Sequence, residues 1–194
     1  MGVRSLGNAL AGFRYKFGRT GTEASGAASG SGISATGGNQ TSPSGFTAPN
    51  GFKYHVFTSS GSLVVESGTT EAYYLVVAGG GSGGYGNGAG GGAGGLRSND
   101  PTVPGPSNMK VTHTFTLSPG TYPVTVGDGG TAPADSGSES KIGTSTVVAS
   151  GGGYGGSNGT GEPGGSGGGG TPPSAASSVN SPDPLSPDKQ GHAG

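Results

Sequence analysis

The chain has 194 residues, 48 of them glycine and 14 proline, and only 28% are hydrophobic, where an ordinary domain has nearly half. That excludes a large side-chain core, and no window approaches the ~18 consecutive apolar residues of a membrane-spanning helix. Nine basic residues against ten acidic leave a net charge of −1, which argues against nucleic acid as the main partner, and the absence of cysteine excludes disulfides and thiolate metal sites.

Low hydrophobicity implies disorder mainly when net charge is high. A near-neutral, glycine-rich chain can stay compact if its main-chain groups bond to one another. Residues 1–23 form a basic head that holds Arg4, Arg14, Lys16 and Arg19, with at most a helical turn or two over residues 5–15. No apolar stretch of a secretory signal follows Arg4, and Leu6 stands where N-myristoylation wants Ser or Thr. Synthesis and assembly in a cytoplasm are therefore expected. Residues 13–17, Phe13-Arg14-Tyr15-Lys16-Phe17, alternate aromatic and cationic side chains. Such a peptide suits addition to a partner's edge strand, with the rings in pockets. A solvated basic arm and an arm touching packaged nucleic acid are the alternatives.

Residues 24–51 are rich in Ala, Ser, Gly and Thr, with Pro43 and Pro49, and are expected to be a flexible linker. Residues 52–150 hold most of the Val, Ile, Leu and Phe and are expected to form a β scaffold. Alternation marks strands at Phe52/Tyr54/Val56, at Val111/His113/Phe115/Leu117 and at Tyr122/Val124/Val126. Ser118-Pro119-Gly120-Thr121 suits a type II turn, so residues 110–117 and 122–126 are expected to pair as a hairpin. Further strands are expected at 62–66, 72–78 and 141–149. Two of these strands run straight into glycine, Val76-Val77-Ala78 into a first tract at 79–95 and Val147-Val148-Ala149 into a second at 151–170. If the two strands lie side by side, both tracts leave the same edge of a sheet. Residues 171–194 are rich in Pro and Ser and read as an extended tail.

Each tract carries a three-residue period. In the second, Tyr154, Ser157, Thr160, Pro163 and Ser166 form one non-glycine row, while the other two rows are glycine except for Asn158 and Glu162. In the first, Gly80, Gly83, Gly86, Ala89, Gly92 and Gly95 form a nearly bare row. Three residues per turn is the repeat of polyproline II, which has no internal hydrogen bonds. Bare rows let such helices approach until main chain bonds to main chain. One helix cannot stand alone, because ordering a residue costs roughly 1–2 kcal/mol and a hydrogen bond returns only about 0.5–1.5 kcal/mol. The expected fold is therefore mostly β: a small β-sandwich-like scaffold carrying its glycine tracts as polyglycine II helices, with extended N- and C-terminal segments. Homotrimers are expected, because so little apolar area gains by burial between protomers.

The succession of residues 73–95 (YYLVVAGGGSGGYGNGAGGGAGG), 118–130 (SPGTYPVTVGDGG) and 147–159 (VVASGGGYGGSNG) resembles the glycine-rich domain of tail-fibre and adhesin proteins of tailed bacteriophages, those of marine cyanophages in particular. The resemblance spans roughly residues 46–170. It implies a virion component, a tail fibre or its tip, with polyglycine helices packed into a block whose loops meet host receptors. The basic head is similar to the short N-terminal anchor by which such fibres attach to the tail. On that likeness Arg4, Phe13, Arg14, Tyr15, Lys16, Phe17 and Arg19 are the tail-anchor candidates.

Tyr85 and Tyr154 are large rings in otherwise bare tracts, suited either to stacking on sugars of a host surface polysaccharide or to pinning a tract to the scaffold. His55, His113 and His192 lie in different segments and the acids are scattered, so no metal site and no catalytic carboxylate pair is expected. Asp128-Gly129-Gly130 lacks the spacing of a calcium loop. A glycine-rich phosphate loop is not expected at residues 79–84, where no helix and no Gly-Lys-Ser/Thr follows. The expected function is that of a non-enzymatic structural protein without cofactor, bound to a tail or adaptor protein and to a host-surface polysaccharide or protein, without membrane insertion. A capsid decoration or other minor virion protein, and a non-viral glycine-rich structural or RNA-binding protein, are the alternatives.

Overall fold

A computed structural model describes residues 11–16, 32–39, 45–47, 52–102, 114–144 and 147–171. Eleven strands are arranged among them as two antiparallel sheets. In chain order they are β1 (Ala11–Lys16), β2 (Ser34–Thr36), β3 (Phe46–Thr47), β4 (Phe52–Phe57), β5 (Gly61–Ser67), β6 (Thr70–Val77), β7 (Leu96–Ser98), β8 (Phe115–Leu117), β9 (Gly120–Thr125), β10 (Ser140–Ile142) and β11 (Val147–Ala149). The first sheet runs β3-β4-β1-β6-β7, with β8 also on β6, and the second runs β11-β10-β9-β5-β2.

Alternation sets the inner faces, because successive side chains of a strand point to opposite sides. On β6, Ala72, Tyr74 and Val76 are buried, and on β5, Leu63 and Val65. They meet Phe57, Phe115, Leu117, Val124, Ile142, Val147 and Ala149 in one core. Phe115 stacks edge-on against Tyr74 at 5.6 Å and against Tyr122 of the second sheet at 6.2 Å.

One edge of β6 is shared by three partners. β7 pairs with residues 75–77, and β8 pairs with residues 70–72. Between them the Asn99 side chain imitates a strand: its Oδ1 accepts from the Tyr74 N–H at 2.8 Å and its Nδ2 donates to the Ala72 carbonyl at 2.9 Å. The other edge of β6 is taken by β1.

Four expectations change. The hairpin of 110–117 with 122–126 does not form: β8 pairs with β6 in the first sheet, whereas β9 pairs with β5 and β10 in the second. The connection 118–119 is a corner between sheets, and the reason lies at Tyr122, whose hydroxyl occupies both main-chain groups of Ser118 that a hairpin partner would have used. The single strand at 141–149 is two, β10 and β11, paired antiparallel around Gly143, which adopts φ 69°. The strands that feed the two tracts, β6 and β11, lie in opposite sheets and not side by side. A helical turn over residues 5–15 does not extend through residues 11–15, which are β1.

Within the segment expected to be a linker, β2 pairs with β5, β3 pairs with β4, and Ile33 and Ala35 are buried in the core. Asn39 braces this segment, donating its N–H to the Val56 carbonyl at 2.9 Å and accepting at Oδ1 from the Thr58 N–H at 2.7 Å. The first part of the predicted 110–117 strand, with Val111 and His113, lies outside the described residues, as do residues 172–194 with His192.

Candidate functional site

The glycine tracts extend the sandwich from the ends of β6 and β11. The first leaves β6 as an outgoing run, 79–84, turns at 85–88 and comes back as a returning run, 89–95, into β7. The second leaves β11 as a central run, 151–156, turns back at 157–159, returns antiparallel beside it over 160–162, and reverses again, so that its last part, 165–169, lies beside the central run in the same direction. The second tract is therefore not one helix with a decorated row, as the period alone suggests. Folding back supplies the neighbours that a lone polyglycine helix lacks.

The bonds recur every third residue. The returning run donates from Ala89, Gly92 and Gly95 to the carbonyls of Gly156, Gly153 and Ser150, at 2.9, 2.7 and 2.8 Å. The outgoing run donates from Ala78, Gly81 and Gly84 to Gly95, Gly92 and Ala89, at 3.0, 2.9 and 3.0 Å. The central run donates from Gly152 and Gly155 to Gly79 and Ser82, both at 2.9 Å, and from Gly153 and Gly156 to Ser166 and Gly169, at 3.0 and 2.9 Å. A step of three is the polyproline II repeat, so these runs are polyglycine II helices bonded laterally into a block.

Glycine is required at the contacts. A Cβ on Gly81, Gly152, Gly153 or Gly155 would fall within 3.0 Å of a main-chain oxygen of Gly153, Gly92, Glu162 or Ala89 respectively. Gly90, on the outer side of the returning run, has nothing within 4 Å of such a Cβ.

A further wall of the block went unseen in the sequence. The loop between β9 and β10 lies along the outgoing run, where Gly79 and Ser82 donate to Ser138 and Asp135 at 3.0 and 2.9 Å. Asp135 returns its own N–H to the Ser82 hydroxyl at 2.8 Å. Two of the tract reversals left a signal that glycine content masks: Asn87-Gly88 and Asn158-Gly159 are Asn-Gly turn dipeptides. At the first turn Gly86 takes φ 59°, and the Gly88 N–H donates to the Tyr85 carbonyl at 2.9 Å.

These two turns meet at the distal end of the block. The Tyr85 N–H donates to the Ser157 hydroxyl at 2.7 Å, while the Tyr85 side chain stays exposed (62%), the large hydrophobic residue most open to solvent among those described. Asn87 and Asn158, on the same two turns, are exposed as well. Tyr154, the other ring candidate, lies within the central run and is half-buried, and its main-chain carbonyl accepts from the Glu162 N–H at 2.9 Å. Of the tail-anchor candidates, Phe13, Arg14, Tyr15 and Lys16 belong to β1, whose main chain is paired with β4 on one side and β6 on the other. Arg4, Phe17 and Arg19 lie outside the described residues.

His55 on β4 is fully buried (0%), and its Nδ1 donates to the Gly37 carbonyl at 2.8 Å. Burial pushes its pKa below the ordinary 6.5, against the Gly37 bond, which raises it, and with a smaller lowering from Lys53. It serves the scaffold and not the block.

A two-sheet β sandwich continued by a main-chain-bonded polyglycine block defines a glycine-rich β module. The chain belongs to the glycine-rich domain family, whose model matches residues 58–194. No curated protein and no solved structure matches the chain.

Proposed function

We propose that this protein is a structural component of a bacteriophage virion, a tail fibre or fibre segment that is anchored to the tail by its N-terminal head and presents the polyglycine block to the host. The observation that carries this reading is the Tyr85 site: an aromatic ring 62% exposed, on a turn whose main chain is held by Ser157 at 2.7 Å. A ring displayed on a rigid main-chain lattice loses little freedom when it binds. With one apolar face and one polar handle it suits a half-wet surface such as polysaccharide, and a protein receptor is the other host ligand it fits. Single contacts of this kind are weak, and several copies in a homotrimer multiply them.

The main-chain edges of residues 11–16 are taken within the sandwich, so contact with the tail or its adaptor falls to the residues before Ala11, Arg4 among them. β1 then roots the head in the scaffold. No cofactor and no chemical step enters this role.

The test uses particles that carry the protein. Tyr85→Ala is expected to lower adsorption to host cells at least tenfold while thermal stability is unchanged, and gold-labelled N-termini are expected at the tail. Unchanged adsorption would remove Tyr85 from the reading. Label on a capsid lattice would replace the fibre by a decoration protein.

A further inference from the structure

The region matched by the glycine-rich family, residues 58–194, contains β5 to β11 and the polyglycine runs. Within it β6 pairs along one edge only, with β7 and β8. Its second edge is filled from outside that region, by β1. β1 in turn pairs with β4 over residues 11–16 and with β6 over residues 11–15. β3 and β4 are joined to the rest of the first sheet through β1. β1 is thus an inserted strand in a slot between β4 and β6, and the glycine-rich module has an open sheet edge wherever that strand is withdrawn.

Between Lys16 and Gly32 stand the fifteen residues 17–31, FGRTGTEASGAASGS, nearly all Gly, Ala, Ser and Thr. A chain of that length reaches about 50 Å when extended, at ~3.3–3.6 Å per residue, while a small domain is about 30 Å across. The slot of an adjoining copy is therefore within reach of β1. The hydrogen bonds β1 makes are the same in its own slot and in an identical one, so exchange between copies sacrifices no pairing.

We propose that β1 is a donor strand: in the assembled protein, residues 11–16 of one copy fill the β4–β6 slot of the next, closing a ring of protomers by main-chain strand addition. The occupant of the slot is a second copy of this chain. This rests on the homo-oligomeric part of the proposed function and names the contact that builds the oligomer.

The chain has no cysteine, so engineered disulfides report on this without background. Tyr15 lies opposite Lys53, and Gly12 lies opposite Val56. Directly opposed residues of an antiparallel pair are close enough for a disulfide, and the two pairs fall on opposite parities of the ladder, which keeps the test usable if one pair distorts the sheet. Full-length Tyr15→Cys/Lys53→Cys protein, and separately Gly12→Cys/Val56→Cys protein, is oxidised and run without reductant. Covalent oligomers are expected, and co-expressed Tyr15→Cys and Lys53→Cys chains are expected to give a mixed disulfide dimer. A disulfide confined to the monomer, or none with either pair, overturns the exchange. Native mass spectrometry of the unmodified protein separates the two readings: an oligomer whose double-cysteine form cross-links only within the monomer refutes β1 exchange and leaves the fibre reading standing.

Discussion

The hydroxyl of Tyr122 closes on both main-chain groups of Ser118, donating to its carbonyl at 3.0 Å and accepting from its N–H at 2.9 Å. This pair turns the chain from β8 in one sheet to β9 in the other. Tyr122→Phe keeps the ring against Phe115 and removes only the hydroxyl, leaving two partly buried groups without it. A loss of about 1–3 kcal/mol is expected, read as a lower denaturation midpoint at unchanged slope. No change in midpoint would mean that Pro119 and the strands hold the corner unaided.

The block should separate two substitutions of identical chemistry. Gly155→Ala drives a Cβ into the carbonyl of Ala89, an atom fixed by its own bond from the Gly84 N–H at 3.0 Å. Gly90→Ala meets nothing within 4 Å. The first is expected to cost about 2–3 kcal/mol through overpacking. The second is expected to be neutral, or to gain about 0.4–1 kcal/mol by restricting the unfolded chain. Equal effects in chemical denaturation would count against the interlocked packing.

Amide exchange should carry the period of the lattice. Slow exchange is expected at Ala89, Gly92 and Gly95, and at Gly152, Gly153, Gly155 and Gly156, all of which donate within the block. Uniformly fast exchange across 79–95 and 151–170, measured by NMR on the intact protein, would show that the runs are not held to one another.

Stability should fall with acid through His55. Its folded-state pKa is lowered, chiefly by burial, from the ordinary 6.5. The unfolded chain therefore takes up the proton more readily than the folded one. Stability from this group is full above pH 6.5 and declines as pH falls from there through the folded-state pKa. His55→Gln is expected to flatten the decline in that window. A slope that persists unchanged in the variant would assign it to other groups.

Much of the scaffold was legible in the sequence. Alternation located β4, β8 and β9, because a half-buried strand repeats every two residues, and strands were expected at β5 and β6 as well; on β4, however, the buried face is that of His55 and Phe57 and not that of Phe52, Tyr54 and Val56. The three-residue rows pointed to polyglycine II, and the paucity of Val, Ile, Leu and Phe required that main-chain bonds share the work of a core. What alternation does not encode is the neighbour. It marks Phe115 and Leu117 as having a buried face without saying whether β9 or β6 lies alongside; the fold pairs them with β6, and the Tyr122 hydroxyl caps the corner that results. Glycine encodes still less, since a run without side chains has no feature to set its register, and only the Asn-Gly dipeptides mark where a tract turns. Packing settled that the tracts reverse near Asn87 and Asn158, that the loop at 135–138 joins them, and that Tyr85 and Ser157 meet at the far end. The place of β1 between β4 and β6 was likewise decided by tertiary structure, because the alternation of ring and charge over residues 13–16 specifies an extended strand and leaves its partner open.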